Sequence, residues 1–187
     1  MPLVQLELTP VDSFNPPVHS NWQPPAGSPL ILRGLQPGKY QVHATPGMGG
    51  YSSYVSSLRC GFTDLLHEEL MVPETGQLPP IEVALRDDLS MLQLRVNAEK
   101  TSYVNIAIIP DEYPPSETGR RMNLMADQTT SASLAPGNYK IFAFADNEDV
   151  DPNDLEELSR YAKKATAVTL LPGKTTSLVV ELIHAGE

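Results

Sequence analysis

Two stretches of the chain, LQPGKYQV at residues 35–42 and LAPGNYKI at residues 134–141, share a Leu-x-Pro-Gly-x-Tyr motif. Pro fixes φ near the value that a β-turn needs, and Gly permits positive φ at the next position. The motif therefore predicts a turn that leads into a strand, with the Leu entering the core and the Tyr ring buried. The Tyr hydroxyl is expected to reach backbone upstream, as in the tyrosine corner of Greek-key sandwiches. The structural positions of the two copies are Leu35, Pro37, Gly38, Tyr40, Leu134, Pro136, Gly137 and Tyr139.

The spacing of the two copies indicates a duplicated unit. Leu134 follows Leu35 by 99 residues, and a stretch of alternating apolar residues follows each copy, at 81–85 and at 178–182. A unit of roughly 90–100 residues is too long for a solenoid repeat and has the size of a small domain. We therefore predict two domains, residues 1–88 and 89–187, joined at the short charged segment 86–90.

Alternation of apolar and polar residues with a period of two dominates both halves, and Pro-Gly pairs separate many of the alternating runs. Such runs are typical of half-buried strands, and many short strands with regular turns favour a sandwich or a barrel over an α/β sheet. With the duplicated unit and its tyrosine corners, the predicted class is all-β, with two tandem Greek-key β-sandwiches. The clearest runs are Val4/Leu6/Leu8, Ile81/Val83/Leu85, Leu92/Leu94/Val96, Val104/Ile106/Ile108 and Leu178/Val180/Leu182.

One segment of the second half, near residues 152–162, predicts a short helix. Asp151 suits the N-cap and Pro152 the first helical position, and acidic residues fill the first turn, where the helix dipole favours them. Phe142 and Phe144 alternate with the core side of the preceding strand. We therefore expect these two rings to pack beneath the helix.

The segment 32–42, LRGLQPGKYQV, resembles the core of carboxypeptidase regulatory-like (prealbumin-like) β-sandwich domains. The second half is similar to them at 134–145, at 167–174 and at 178–182. The resemblance implies two tandem Ig-like or prealbumin-like Greek-key β-sandwiches. It also implies that they are modules of a large bacterial extracytoplasmic protein, in the periplasm, at the outer membrane or on the cell surface. It implies no peptidase activity. Because some of these domains are grouped with starch-binding-like folds, it also implies carbohydrate binding as an alternative function.

Composition narrows the function classes. The chain has 13 Lys and Arg against 23 Asp and Glu, a formal charge of −10, and no basic face that would bind nucleic acid. No apolar run approaches the ~18 residues of a transmembrane helix. The N-terminus lacks the pattern of a signal peptide, so Met1 is either a true start or was added to a fragment of a longer chain. Because 4–8 already reads as a strand, we expect the fragment, and the resemblance implies that the longer chain is extracytoplasmic, with its signal peptide outside this sequence.

No catalytic motif is present, so we predict no enzyme activity, no cofactor and no catalytic metal. The four His residues lack the His-Glu-x-x-His spacing of a zinc peptidase, and Cys60, in an alternating run, is predicted to be a packed thiol. A Ca²⁺ site built from loop oxygens is one interpretation of Asp149, Asp151 and Asn153, which match the first alternate positions of an EF-hand loop. Asp154 then stands where Gly is needed, so the other interpretation is a solvated loop.

Recognition residues are expected in the loops at the ends of the sandwiches. Trp22, Tyr51 and Tyr54 lie in or beside irregular segments of the first half, and they either present a flat aromatic platform to a ligand or partner, or cover a sandwich edge. The predicted function is a non-enzymatic structural or interaction module that serves spacing, assembly or protein–protein contact. The alternative is a carbohydrate-binding module that uses these aromatic residues.

Overall fold

The computed structural model describes residues 4–12, 16–20, 32, 34–47, 53–97, 103–111, 120–125, 128–145, 150–151 and 154–184. Within these ranges the regular structure is almost entirely β, with one short α-helix, which confirms the all-β class. The described residues divide into two compact units between Asp87 and Asp88. Each unit is described by itself.

The first unit consists of a four-stranded sheet of order β2-β1-β3-β6 and a three-stranded sheet of order β5-β4-β7. Neighbouring strands are antiparallel throughout. Leu8 and Val42 of the larger sheet share one buried cluster with Leu58 and Cys60 of the smaller sheet, so the arrangement is sandwich-like. The described strands are β1 (Val4–Pro10), β2 (Val18–Ser20), β3 (Gly38–Pro46), β4 (Tyr54–Cys60), β5 (Thr63–Asp64), β6 (Leu70–Val72) and β7 (Ile81–Arg86).

The second unit has a four-stranded sheet of order β10-β9-β12-β13 and a three-stranded sheet of order β11-β8-β14. Strand β14 runs parallel to β8, and the other pairs are antiparallel. Leu94 and Val180 of the smaller sheet pack with Ile106 and Ile141 of the larger sheet in one core. The described elements are β8 (Ser90–Asn97), β9 (Tyr103–Pro110), β10 (Arg120–Met125), β11 (Thr129–Leu134), β12 (Gly137–Ala145), α1 (Leu155–Arg160), β13 (Thr166–Leu170) and β14 (Thr175–Glu181).

The Leu-x-Pro-Gly-x-Tyr motif forms the same corner in both units. The Tyr40 hydroxyl donates to the Gln36 carbonyl at 2.9 Å, and the Tyr139 hydroxyl donates to the Ala135 carbonyl at 2.7 Å. Both rings are buried. Each hydroxyl therefore ties the start of its strand to the backbone before the turn, which is the upstream contact that the motif predicts.

The corner glycines have the backbone conformation that the motif requires. Gly38 has φ +146° and Gly137 has φ +157°, values that residues with a Cβ atom rarely adopt. The preceding leucines, Leu35 and Leu134, are partly buried and pack against the core of their own unit. Each turn is thus held to the core by the leucine before it and by the tyrosine after it.

The helix begins later than the sequence predicts. It starts at Leu155, and its N-cap is Asp154, whose carboxylate accepts from the backbone N–H groups of Glu156 and Glu157 at 2.9 and 3.1 Å. The prediction of Asp151 as the N-cap is therefore wrong, and the predicted range 152–162 is too long. The reason is that Asp151 is engaged by Arg121, whereas Asp154 has the extended backbone of an N-cap. Pro152 lies outside the described residues.

Candidate functional site

The outer face of the four-stranded sheet of the second unit carries a small apolar cluster. Phe142 and Phe144 of β12 are buried there together with Leu158 of α1, while the alternate residues of β12 enter the main core. The ring centroids of Phe144 and Tyr161 lie 5.3 Å apart at an angle of 74°, an edge-to-face geometry that aromatic pairs favour. The prediction that these rings pack beneath the helix is confirmed, and the cluster holds α1 against the sheet.

Beside this cluster the same face becomes polar. A depression of about 460 Å³ lies there, and Asn105 of β9 and Asn123 of β10 are directly opposite each other in the sheet register. Tyr103 precedes Asn105 by two residues, so its side chain leaves the sheet on the same side, and 51% of Tyr103 is exposed. The residues that line the depression are Asn105, Ile106, Arg121, Met122, Asn123 and Val150.

An ion pair connects the polar depression to the segment that precedes α1. Arg121 Nη2 donates to Asp151 Oδ1 at 3.0 Å, and the backbone N–H of Asp151 donates to Glu157 Oε2 at 2.9 Å. The side chains of Arg121 and Asp151 are 45% and 60% exposed, so the pair contributes at most about 1 kcal/mol to stability. Its larger effect is to orient the guanidinium at the rim of the depression.

The chemistry of this face is that of hydrogen bonding. The amides of Asn105 and Asn123 each carry donors and an acceptor, and the Arg121 guanidinium supplies further donors. The adjacent tyrosine adds an exposed aromatic ring. Such a set can hold a polar ligand that also has an apolar side.

The first unit carries a protruding aromatic side chain at a tight hairpin. Cys60 and Thr63 are register partners, so Gly61 and Phe62 form a two-residue loop between β4 and β5. Gly61 has φ +61°, which fits the first central position of such hairpins. The Phe62 side chain is fully exposed, with a relative accessibility of 107%. The fold therefore presents this ring to solvent on a short, constrained turn.

Hydrogen bonds also organise the segment after the hairpin. The Asp64 carboxylate accepts from the Leu66 backbone N–H at 3.2 Å, and His67 Nδ1 lies 3.2 Å from the other carboxylate oxygen. The backbone N–H of Glu68 donates to the Asp64 carbonyl at 2.8 Å. Phe62 is thus bordered on its C-terminal side by a compact turn that begins with an acidic residue.

Cys60 is a packed strand residue, as its alternating context predicts. It is buried in the core of the first unit, and its Sγ donates to the Pro79 carbonyl at 3.3 Å. Desolvation by burial raises the pKa of the thiol. Since the thiolate is the nucleophilic form, this environment disfavours covalent chemistry at Cys60.

Several residues that the sequence singled out fall beyond the described ranges, namely Trp22, Tyr51, Asp149 and Asn153. Among the other candidates, Tyr54 begins β4 and is partly buried, and Asp151 binds Arg121 rather than standing free for a cation. The described residues bring together no group of three or more His, Cys, Asp or Glu side chains suited to a metal ion.

Sequence reasoning did not identify the Tyr103, Asn105 and Asn123 group. Tyr103 and Asn105 are the first two residues on the outward side of β9, and Ala107 and Ile109 follow them on the same side in the apolar cluster. The alternate spacing of Tyr103 and Asn105 was the available signal, but the partner across the sheet depends on how β10 pairs with β9.

Comparison with known proteins adds no relative, because no family model, no curated protein and no solved structure matches the chain. Within the part of the chain that the structure describes, no helix is both long and apolar enough to cross a membrane.

Proposed function

We propose that the chain is a non-enzymatic structural and interaction module, built from two β-sandwich domains, that contacts a protein partner or neighbouring domains of a longer extracytoplasmic chain. The observation that carries this proposal is the exposure of Phe62 at the β4–β5 hairpin. Removing a Phe side chain from water is worth about 1.5–3 kcal/mol. Solvent exposure of the whole ring therefore leaves a substantial free energy available for association.

The hairpin also suits a role in recognition because its backbone is constrained. The two-residue loop and the positive φ of Gly61 limit the conformations of the turn, so little order has to be gained on binding. Aromatic anchors that enter a partner's pocket commonly dominate interface energies. A single anchor of this kind is enough for a stable contact.

Charge specifies the kind of partner. Glu68, which follows the hairpin, is exposed, whereas Glu69 is paired with Lys39 at 3.4 Å. The chain as a whole has a formal charge of −10. A partner with an apolar pocket and a basic rim complements this surface and is attracted over distance. The proposed partner is therefore a basic protein surface rather than an acidic one.

Location and family are parts of the same proposal. The tyrosine corners at Tyr40 and Tyr139 and the sandwich-like sheets support the resemblance to carboxypeptidase regulatory-like domains. That resemblance in turn supports an extracytoplasmic location. The packed thiol of Cys60 supports the non-enzymatic part, because burial raises its pKa and so disfavours the nucleophilic thiolate.

The test compares Phe62→Ala with Val179→Ala, a control at a β14 side chain that is 59% exposed. The immobilised full chain is used to select a partner from an envelope extract, and the purified partner is then titrated by calorimetry. We expect Phe62→Ala to raise Kd about tenfold or more, the effect of removing an anchor residue, and Val179→Ala to leave it unchanged. Equal affinity of the Phe62→Ala variant, or no partner at all, would contradict the proposal.

Carbohydrate binding is the second candidate function. One observation favours it: the half-exposed ring of Tyr103 stands beside the amides of Asn105 and Asn123 on the same sheet face. This combination of an aromatic surface and convergent polar groups is typical of sites for small polar ligands.

A further inference from the structure

We infer that the polar depression of the second unit binds a neutral carbohydrate chain through Tyr103, Asn105, Asn123 and Arg121. The inference rests on the second function proposed above and assigns it to a site in the second unit. It uses none of the aromatic residues of the first half that the sequence singled out.

The two amides form the polar floor of this site. Asn105 and Asn123 are register partners on adjacent antiparallel strands, and the Cβ atoms of such partners are about 4.5–5.5 Å apart. Each amide offers donors and an acceptor. Adjacent hydroxyl groups of a sugar ring require both kinds of partner at short separation, so the amide pair matches them.

Tyr103 supplies the apolar part of the site. Its Cα lies about 7 Å from that of Asn105, since each strand residue rises roughly 3.3 Å. The residue is 51% exposed, so part of its surface can contact a ligand. A pyranose has a C–H face that packs on an aromatic ring while its hydroxyls remain directed sideways, toward the amides.

The charges favour a neutral ligand. Arg121 already binds the carboxylate of Asp151 at 3.0 Å, so the pair has no net charge. The guanidinium has five N–H donors, and this ion pair engages the nitrogen Nη2. The acidic chain, at −10 overall, repels uronic or sulfated sugars. Neutral hexoses or pentoses meet no such penalty.

The neighbouring apolar cluster supports one wall of the site. Val150 lines the depression and packs against the cluster that contains Phe144 and Leu158. The volume of about 460 Å³ falls in the range of small-molecule sites, roughly 300–1,000 Å³. A preformed wall of this kind lowers the ordering cost of binding.

The experiment titrates the full chain with maltohexaose, cellohexaose, xylohexaose and mannohexaose by calorimetry and saturation-transfer NMR. We expect binding of at least one of them, with Kd raised about tenfold or more by Tyr103→Ala and by no more than about twofold by Tyr103→Phe, which keeps the ring. Asn105→Ala and Asn123→Ala should each raise Kd about three- to tenfold. Val179→Ala, at a side chain of β14 that is 59% exposed and lies in the other sheet of the same unit, is the control and should leave Kd unchanged.

The outcomes separate the site from the function. Binding that survives Tyr103→Ala but is lost in Trp22→Ala would keep carbohydrate binding and overturn this site. No binding of any of the four oligosaccharides would overturn both. Preference for an oligogalacturonate over the neutral sugars would overturn the assigned ligand class, and thermal melting of each variant shows whether the fold is retained.

Discussion

The two units build the same four-stranded sheet from different sequences. Strand order is β2-β1-β3-β6 in the first and β10-β9-β12-β13 in the second. In each unit the corner tyrosine stands opposite a proline that ends the neighbouring strand: Tyr40 opposite Pro10, and Tyr139 opposite Pro110. The shared part of the units therefore extends well beyond the turn, over the whole register between two central strands.

The units differ in how the smaller sheet is completed. In the first, β4 follows β3 in the chain and pairs antiparallel with the closing strand β7. In the second, the segment after β12 forms α1, and the first strand of the unit, β8, pairs parallel with the closing strand β14. The closing strand needs a hydrogen-bonding neighbour in both cases. The comparison teaches that strands from different places in the chain can meet this requirement.

The outer faces of the four-stranded sheets also differ, because the segment after the central strand forms helix α1 in the second unit and strand β4 in the first. Counted from the corner tyrosine, His43 and Thr45 of β3 occupy the positions that Phe142 and Phe144 occupy in β12. Helix α1 covers the two phenylalanines, whereas Thr45 is exposed and His43 stands opposite Glu7. The side chains on this face are thus apolar where an element covers them and polar where none of the described elements does.

The largest expected effect tests this difference between the two outer faces. Phe144→Ala removes a ring that is 1% exposed and packs on Tyr161, so it should lower the free energy of unfolding by about 3–5 kcal/mol. Thr45→Ala at the matching position of the first unit should change it by no more than about 0.5 kcal/mol. Urea unfolding of the full chain, followed by circular dichroism, measures both. Similar losses for the two variants would mean that the outer faces are not distinguished by their cover.

Local features of the fold could be predicted from sequence. The corner depends on a hydroxyl that reaches a carbonyl four residues earlier, as Tyr40 does to Gln36, so the motif contains everything it needs. The outward direction of Phe142 and Phe144 follows from a period of two within a single strand. Both predictions rest on interactions that a short window of sequence already includes.

Features that depend on distant pairing could not be predicted. Nothing in the alternation of β4 or β8 specifies which of them joins a closing strand, or in which direction. The candidate site could not be predicted for the same reason, since Asn105 lies opposite Asn123 only because of the register of β9 and β10. The N-cap error is similar, because Arg121, thirty residues away, engages Asp151.

A smaller effect tests whether the two tyrosine corners contribute equally to stability. Tyr40→Phe and Tyr139→Phe each delete one hydrogen bond to a backbone carbonyl, of 2.9 and 2.7 Å, and keep the buried ring. Each should lower the free energy of unfolding by about 0.5–1.5 kcal/mol. The same urea titration applies, with each variant serving as the control for the other. A loss confined to one of the two corners would show that the duplicated motif is energetically unequal.

The smallest expected difference is between substitutions of the two aspartates before α1. It tests what holds the start of the helix that covers Phe142 and Phe144. Asp154 accepts from two backbone N–H groups of the first turn, so Asp154→Ala should cost about 0.5–2 kcal/mol, the value of an N-cap. Asp151 forms an exposed ion pair with Arg121, so Asp151→Ala should cost at most about 1 kcal/mol. Salt separates the two further, because screening weakens the ion pair more than the cap. If Asp151→Ala were the more harmful at high salt, the helix would begin at Asp151 after all, and the wall of the depression would be formed differently.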